Sequence, residues 1–374
     1  MGESSQGRAI EDCVGRRNLT PRTAFCPLRL AMPTSTRERW ILRKGTPERG
    51  FQYVTDSGTR VRDAATVERI RTLAVPPAWI DVHLAASPRN SIQAWGFDAR
   101  GRKQYRYHET ATKRGELRKY YRVRQLGRDL PRIRRVLAAD ERKREPSLER
   151  VAAGVLRLIA ERCFRPGSDR YAKENRSFGI TTLRKSHVTV QGDVSTFAFR
   201  GKSGVKQRQT VVDPAVARFL RTLLATPGAR LFRYTENGRW YDLDAEALND
   251  YLRDSLGFPY TAKDFRTWGG TLRAATVFGE LGPARTVTEA KRNVNTVMRL
   301  VAAELGNTPT ICRKSYVHPV IIERYLEDGE TIADRLPSGK RSMSGVSHTV
   351  EERALVQFLD EHFPERRKRR RIAR

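Results

Sequence analysis

Between Trp40 and about Thr110, apolar and polar residues alternate over short stretches such as Gly50-Phe51-Gln52-Tyr53-Val54 and Ser91-Ile92-Gln93-Ala94-Trp95-Gly96, parted by turn formers like Asp56-Ser57-Gly58. Alternation with a period of two, bounded by turns, predicts strands buried on one face and hence a small, mainly antiparallel sheet. One stretch departs from it. Over 64–73, Val67, Ile70 and Leu73 fall at helical spacing before the stop Pro76-Pro77, which predicts a short helix among the strands.

Further along, the period changes. Leu117, Tyr121, Leu126, Leu130 and Ile133 recur at helical spacing among arginines, so a basic helix over about 117–137 is expected to lead into a second, mostly helical domain. Helices are predicted over 147–163, with Val151, Val155, Leu158 and Ile159 on one face, and over 213–225, 244–256, 267–278 and 286–305. Between the first two, Val188-Thr189-Val190-Gln191-Gly192-Asp193-Val194 and 195–199 read as a β-hairpin. The pattern as a whole predicts an α+β chain, with a small strand-rich N-terminal domain over 39–115 and a mainly helical domain with a β-hairpin over 116–330. Residues 1–38 lack periodicity and read as a disordered tail in which Met32 is an alternative start. A C-terminal extension over 331–374 holds a short amphipathic segment at 351–363 and the run Arg366-Arg367-Lys368-Arg369-Arg370-Arg371. Such a run is ordinarily a solvated tail, and on DNA it would add nonspecific affinity.

Charge narrows the class of partner. The 374 residues carry 72 Lys and Arg against 42 Asp and Glu, a formal net charge of +30 that points to a polyanion. No stretch is long and apolar enough to span a membrane, so nucleic acid is favoured, with affinity gained from counterion release and lost steeply with salt. The cysteines Cys13, Cys26, Cys163 and Cys312 have neither C-x-x-C spacing nor nearby histidines, which predicts no zinc site and no disulfide framework. The N-terminus shows no apolar signal core, so a cytoplasmic, nucleoid-associated location is expected.

Metal and nucleotide motifs are absent from the sequence: there is no H-E-x-x-H, no Walker loop, no G-x-S-x-G and no acidic cluster suited to two metal ions. No cofactor, metal or nucleotide is therefore expected. Breaking a phosphodiester without a metal needs a nucleophile, cations for the non-bridging oxygens and an acid for the leaving oxygen. Residues of those types occur as Arg165 in Cys163-Phe164-Arg165-Pro166-Gly167, Lys202 in Arg200-Gly201-Lys202-Ser203-Gly204, Arg266 in Lys263-Asp264-Phe265-Arg266-Thr267-Trp268, Asn307 in Leu305-Gly306-Asn307-Thr308-Pro309, and Tyr316 in Lys314-Ser315-Tyr316-Val317-His318-Pro319. Taken singly, an arginine in so basic a chain is ordinarily a surface residue, and a tyrosine near a helix end ordinarily packs.

In order and context, however, these segments resemble the catalytic domain of the type IB DNA topoisomerases, in particular bacterial, poxvirus-like ones. The stretch after Arg165, Tyr171-Ala172-Lys173-Glu174-Asn175 and Phe178-Gly179-Ile180-Thr181-Thr182-Leu183, is similar to the family's and favours Arg165 over Arg176 or Arg184. Lys202, at the Gly-Lys turn, matches better than Lys206. The resemblance implies relaxation of supercoiled duplex DNA through a 3′-phosphotyrosyl intermediate, without ATP or metal. Tyr316 would be the nucleophile, Arg165, Arg266 and Asn307 the donors to the phosphate, and Lys202 the acid. An ordinary tyrosine has a pKa of about 10, so the attack needs a positive field around Tyr316. Asn307 stands where some relatives carry histidine, and both are neutral donors.

Gly101-Arg102-Lys103-Gln104-Tyr105-Arg106-Tyr107 is similar to a family strand that lies against DNA, which makes Arg102, Lys103, Gln104, Tyr105 and Tyr107 expected contacts, together with Tyr171 and Lys263. Without the rest of the pattern this would be an edge strand guarded by charge, and Val75-Pro76-Pro77-Ala78-Trp79 a rigid turn with a core tryptophan. The resemblance also implies a monomer that clamps duplex DNA. The alternative is a tyrosine recombinase, which shares the catalytic fold; those enzymes usually carry His-x-x-Arg and a helical amino-terminal arm, against Lys263-x-x-Arg266 and strands here. A noncatalytic DNA-binding protein of the same fold is the third reading.

Overall fold

The computed structural model describes residues 40–337 and 346–363. The expected tail over 1–38, with Met32, Cys13 and Cys26, and the basic run at 366–371 lie outside the described residues. The chain divides into two compact units, Met1–Ala111 and Thr112–Arg374.

The first unit is built on strands β1 (Trp40–Thr46), β2 (Gly50–Thr55), β3 (Ile80–Ala85), β4 (Ile92–Phe97) and β5 (Lys103–Tyr107), all antiparallel in the order β2-β1-β3-β4-β5. The predicted helix is α1 (Ala64–Thr72), begun by Asp63, whose carboxylate accepts from Thr66 N at 2.8 Å. Ile70 of α1 joins Ile41, Val82, Leu84 and Ala94 in a small core. Pro76 and Pro77 leave their carbonyls without ladder partners, and Arg43 gathers those of Pro76 (3.1 Å) and Pro77 (3.3 Å) while Trp79 packs half-buried on the core. Strands β1 and β3 were not predicted: Ile41-Leu42-Arg43-Lys44 shows too little alternation to stand out, whereas Ile80-Asp81-Val82-His83-Leu84 does alternate and is the signal that could have found β3.

The second unit is mainly helical, as expected. Its elements are α2 (Glu109–Glu141), α3 (Leu148–Arg162), α4 (Asp169–Asn175), β6 (Val188–Gln191), β7 (Val194–Arg200), β8 (Lys206–Val212), α5 (Pro214–Leu224), β9 (Arg233–Glu236), β10 (Arg239–Asp242), α6 (Ala245–Asp250), α7 (Ala262–Leu281), α8 (Val287–Leu305), α9 (Pro309–Ser315), α10 (Pro319–Glu327) and α11 (Val350–His362). The predicted hairpin becomes the three-stranded sheet β6-β7-β8, so Lys202 lies in the second turn, between β7 and β8. The helix predicted over 244–256 breaks after Asp250 into a π-helical turn. Hairpin β9-β10 turns at Asn237-Gly238, both with positive φ, and that dipeptide is the signal that could have found it.

One apolar cluster holds this unit together. It runs from Val123 and Leu130 of α2 through Val155 of α3, Phe197 of β7 and Phe265 of α7 to Val301 of α8. Helix α11 belongs to it, burying Ala354, Leu355, Phe358 and Leu359, and is fastened by Arg134 of α2, which donates to both carboxylate oxygens of Glu352 at 2.8 and 2.6 Å. The catalytic candidates other than Lys202 are set around this cluster at helix ends.

Candidate active site

Three helix ends converge. Helix α3 stops at Cys163, which takes a left-handed conformation (φ 53°) and turns the chain into buried Phe164 and half-buried Arg165. The backbone there is pinned by Ile180 N donating to Arg165 O at 2.7 Å and Thr181 N to Pro166 O at 2.9 Å. This is why the stretch around Gly179 travels with Arg165. Helix α7 begins with a capping box in which Thr261 N donates to Asp264 Oδ2 at 2.9 Å, and its second turn opens with Arg266, only 2% exposed. Helix α8 ends at Gly306 (φ 62°), and Asn307 follows.

Two arginines bind these ends to one another. Arg266 donates through Nη1 to Cys163 O and through Nη2 to Leu305 O at 3.0 Å, so it ties the end of α3 to the end of α8. Arg165 Nη2 lies 2.5 Å from both Gly306 O and Asn307 Oδ1. Two donors are left unused: Arg266 Nε and Asn307 Nδ2 are buried with no partner among the described residues. Both are therefore able to donate to an acceptor that enters the site.

Tyr316 closes the group. Helix α9 starts with Thr308 and Pro309 and ends at Tyr316, whose ring centroid is 5.2 Å from the Arg266 guanidinium. A side chain at Gly270 would lie 2.8 Å from Tyr316 O, so glycine lets α7 approach the tyrosine segment. Two residues that sequence reasoning missed hold the same segment from α2. Tyr120 Oη lies 3.3 Å from the carbonyls of both Lys314 and Val317, and Lys119 Nζ donates to Ser315 O at 3.4 Å. They lie almost two hundred residues upstream and belong to no motif, so no local signal could have pointed to them.

The electrostatics favour an anion. The Arg165 guanidinium is shifted below its ordinary value by burial first and by the like charge of Arg266 second. Burial also raises the thiols of Cys163 and Cys312 to about 11, which keeps them protonated beside these cations. Just past the tyrosine, His318 is fully buried and pushed down to about 3, chiefly by burial and then by Lys119 and Arg124. Two guanidinium groups, a neutral amide donor and a phenol around one point suit a phosphate that gains charge as it is attacked.

Lys202 is not brought into this group. It stands exposed in the β7-β8 turn and its side chain has no hydrogen bond or ion pair among the described residues, although its neighbour Gly201 lines a narrow crevice with Arg165, Arg266, Gln207, Gln209 and Leu305. Of the expected DNA contacts, Tyr171 and Lys263 are exposed on α4 and on the first turn of α7. The others split over the edge strand β5. Lys103, Tyr105 and Tyr107 point to one face, where Lys103 Nζ sits 3.7 Å from the Trp95 ring and the two tyrosines stack at 5.8 Å. Gln104 faces the other way, and it and Arg102 donate to Asp98 Oδ2, at 2.9 and 2.8 Å.

Among the described residues one set of side chains has metal-ligand spacing, Glu330, Glu361 and His362, but Arg335 pairs with both carboxylates and supplies the cation itself. No described helix is long and apolar enough to cross a membrane.

Comparison with known proteins identifies the family. Residues 105–343 match the family described as the catalytic core of eukaryotic DNA topoisomerase I, and residues 50–98 match the N-terminal domain of bacterial DNA topoisomerase IB. A DNA topoisomerase 1B of Acanthamoeba polyphaga mimivirus is 30% identical over 298 residues, covering 78% of this chain and 88% of its own. A DNA topoisomerase 1 of rabbit fibroma virus (strain Kasza) is 22% identical over 239 residues, 63% of this chain and 73% of its own. The chain belongs to the type IB DNA topoisomerases and is an enzyme that acts on DNA.

Proposed function

We propose that the protein relaxes supercoiled duplex DNA by cutting one strand through Tyr316, letting the duplex swivel and resealing it. The observation that carries this reading is the joining of Arg165, Arg266, Asn307 and Tyr316, drawn from three distant parts of the chain, with two donors unspent. Tyr316 Oη attacks the phosphorus, its proton passing to solvent water while the field of the two guanidinium groups favours the phenolate. Arg165, through the nitrogens it does not spend on Gly306 and Asn307, Arg266 through Nε, and Asn307 through Nδ2 donate to the non-bridging oxygens as charge grows on them. The bond to the 5′ oxygen breaks, Lys202 swings in from its turn to protonate that oxygen, and a 3′-phosphotyrosyl bond conserves the energy of the broken strand. Religation is the reverse. These cations supply the charge stabilisation, and the conserved bond the energy, so the reading needs neither metal nor ATP.

Only one strand is cut at a time, so a monomer suffices, and we take each of the two units to contribute a DNA-binding face, as in a clamp. A recombinase is disfavoured by Lys263-x-x-Arg266 and by the strand-rich first unit. The test is relaxation of supercoiled plasmid with EDTA present and ATP absent, followed by detection of protein bound covalently to a 3′ end. Tyr316→Phe is expected to bind DNA yet neither relax it nor form the adduct. Relaxation by the Phe variant, or strand exchange between plasmids by the wild type, rejects the reading.

A further inference from the structure

Strand β8 carries its polar residues in an unusual place. Along Lys206–Val212 exposed and half-buried positions alternate, so Gln207 and Gln209 share the inward face, where a strand ordinarily places apolar side chains. Both line the crevice with Arg165 and Arg266. The Gln207 side chain crosses from the Lys202 hairpin to the turn that carries Asn307: an atom at the Cβ position of Gly201 would lie 2.9 Å from Gln207 Cγ, and one at that of Gly306 would lie 3.1 and 3.3 Å from Gln207 Oε1 and Nε2. The same point at Gly306 is 3.5 Å from Arg165 Nη1. The Gln207 amide and the Arg165 guanidinium thus flank one spot, next to the residue whose own amide donor is unspent. Although half-buried, the Gln207 amide makes no hydrogen bond among the described residues. A neutral amide held against a glycine, with its donors uncommitted in a crevice lined by guanidinium groups, has the position and chemistry of a phosphate ligand.

We propose that Gln207 is a further substrate-contacting residue, whose side-chain amide donates to a non-bridging oxygen of the phosphate that Tyr316 attacks. It works beside Asn307 as a second neutral donor, adding hydrogen bonding without adding charge, so the covalent intermediate is not held so tightly that religation suffers. The inference rests on the reading of Tyr316 as nucleophile. It leaves the chemistry of that reading unchanged and assigns one more donor to it.

The test compares the wild-type full chain with Gln207→Ala in single-turnover cleavage of a duplex with one scissile phosphate. The substrates are the ordinary phosphodiester and its two methylphosphonate diastereomers, each of which replaces one non-bridging oxygen with a methyl group. On the phosphodiester, Gln207→Ala is expected to cleave roughly 10- to 100-fold more slowly at saturating enzyme, with duplex binding unchanged. The defect is expected to vanish on the one diastereomer that lacks the oxygen Gln207 contacts and to persist on the other. Gln207→Glu is expected to be slower than Gln207→Ala, because a carboxylate would face the phosphate. Wild-type speed in Gln207→Ala, or an equal defect on all substrates as loss of packing alone would give, overturns the proposal. A wild-type chain that leaves the phosphodiester intact rejects the nucleophile reading itself.

Discussion

Arg165 decides which end of the Asn307 amide is left uncommitted: its Nη2 lies 2.5 Å from Asn307 Oδ1, and with the acceptor occupied the amide keeps only Nδ2, a donor. An amide has no preference of its own between its two ends, so the guanidinium does the sorting. Asn307→Asp replaces that donor with a second acceptor and a negative charge where a phosphate is to bind. Single-turnover cleavage by Asn307→Asp is expected to fall by about 10²- to 10³-fold or more, whereas Asn307→His, which keeps a neutral donor, retains most of the rate. Equal rates for the Asp and His variants would show that the donor plays no part.

Tyr120 holds the nucleophile segment from behind. Its hydroxyl reaches the carbonyls of Lys314 and Val317, and burial first, then Glu116 and Glu323, pushes it up to about 12, so it stays a donor throughout the useful pH range. Tyr120→Phe keeps the ring and removes the hydroxyl. The expected cost is about 1 kcal/mol of stability, seen in denaturant unfolding, with slower cleavage and unaltered DNA affinity. A variant that unfolds earlier but cleaves at the wild-type rate would confine Tyr120 to a structural role.

The split of β5 makes a prediction for the first unit. Lys103 lies with Tyr105 and Tyr107 on one face of the edge strand, whereas Arg102 and Gln104 are engaged by Asp98, whose carboxyl the Arg102 bond holds down at about 2. Phosphate contact from the tyrosine face predicts that Lys103→Ala lowers the slope of log affinity against log salt by about one. Gln104→Ala, which removes no charge and lies on the opposite face, would leave that slope unchanged. An unchanged slope in Lys103→Ala would remove this face from the DNA contacts.

Much of this was legible in the chain itself, for reasons that differ by residue. Helices α3 and α8 announce themselves because an apolar face has to repeat at helical spacing whatever it packs against. Arg165, Arg266, Asn307 and Tyr316 were recoverable from order and local context, although the bonds that join them span 142 residues in the case of Arg165 and Asn307 and could not be read from spacing. Tyr120, Lys119 and Gln207 were not legible, since each acts through a contact made only when distant elements pack. Lys202 shows the reverse case: its turn is plain in Gly201-Lys202-Ser203-Gly204, yet the folded chain leaves it exposed, apart from the residues it is proposed to assist.

Helix α11 extends the second unit beyond the last site residue. The sequence over 351–363 reads as an isolated amphipathic segment, but Leu355 and Phe358 are buried in the cluster that includes Phe265, next to Arg266. Leu355→Ala leaves a cavity at a fully buried position and is expected to lower stability by about 2–5 kcal/mol in equilibrium unfolding. A loss below about 0.5 kcal/mol, as for ordinary surface positions, would mean that α11 is an appendage.

His318 gives the fold an acid limit. Its ring is enclosed by Tyr120 and Phe363, at centroid distances of 4.7 and 4.6 Å, and Nδ1 accepts from Val320 N at 3.3 Å, a bond only the neutral imidazole can make. Burial, Lys119 and Arg124 hold it near 3 in the folded chain, against an ordinary value of about 6.5 when unfolded. Between those values the unfolded chain takes up a proton that the folded chain refuses. The contribution of His318 is therefore fully present above about pH 6.5 and is lost at up to about 1.4 kcal/mol per pH unit as pH falls towards 3. Thermal unfolding followed from pH 7.5 to 4.5 is expected to show the decline, and His318→Asn, which can keep the cap to Val320 without titrating, to flatten it. An identical slope in wild type and His318→Asn would assign the acid sensitivity to other groups.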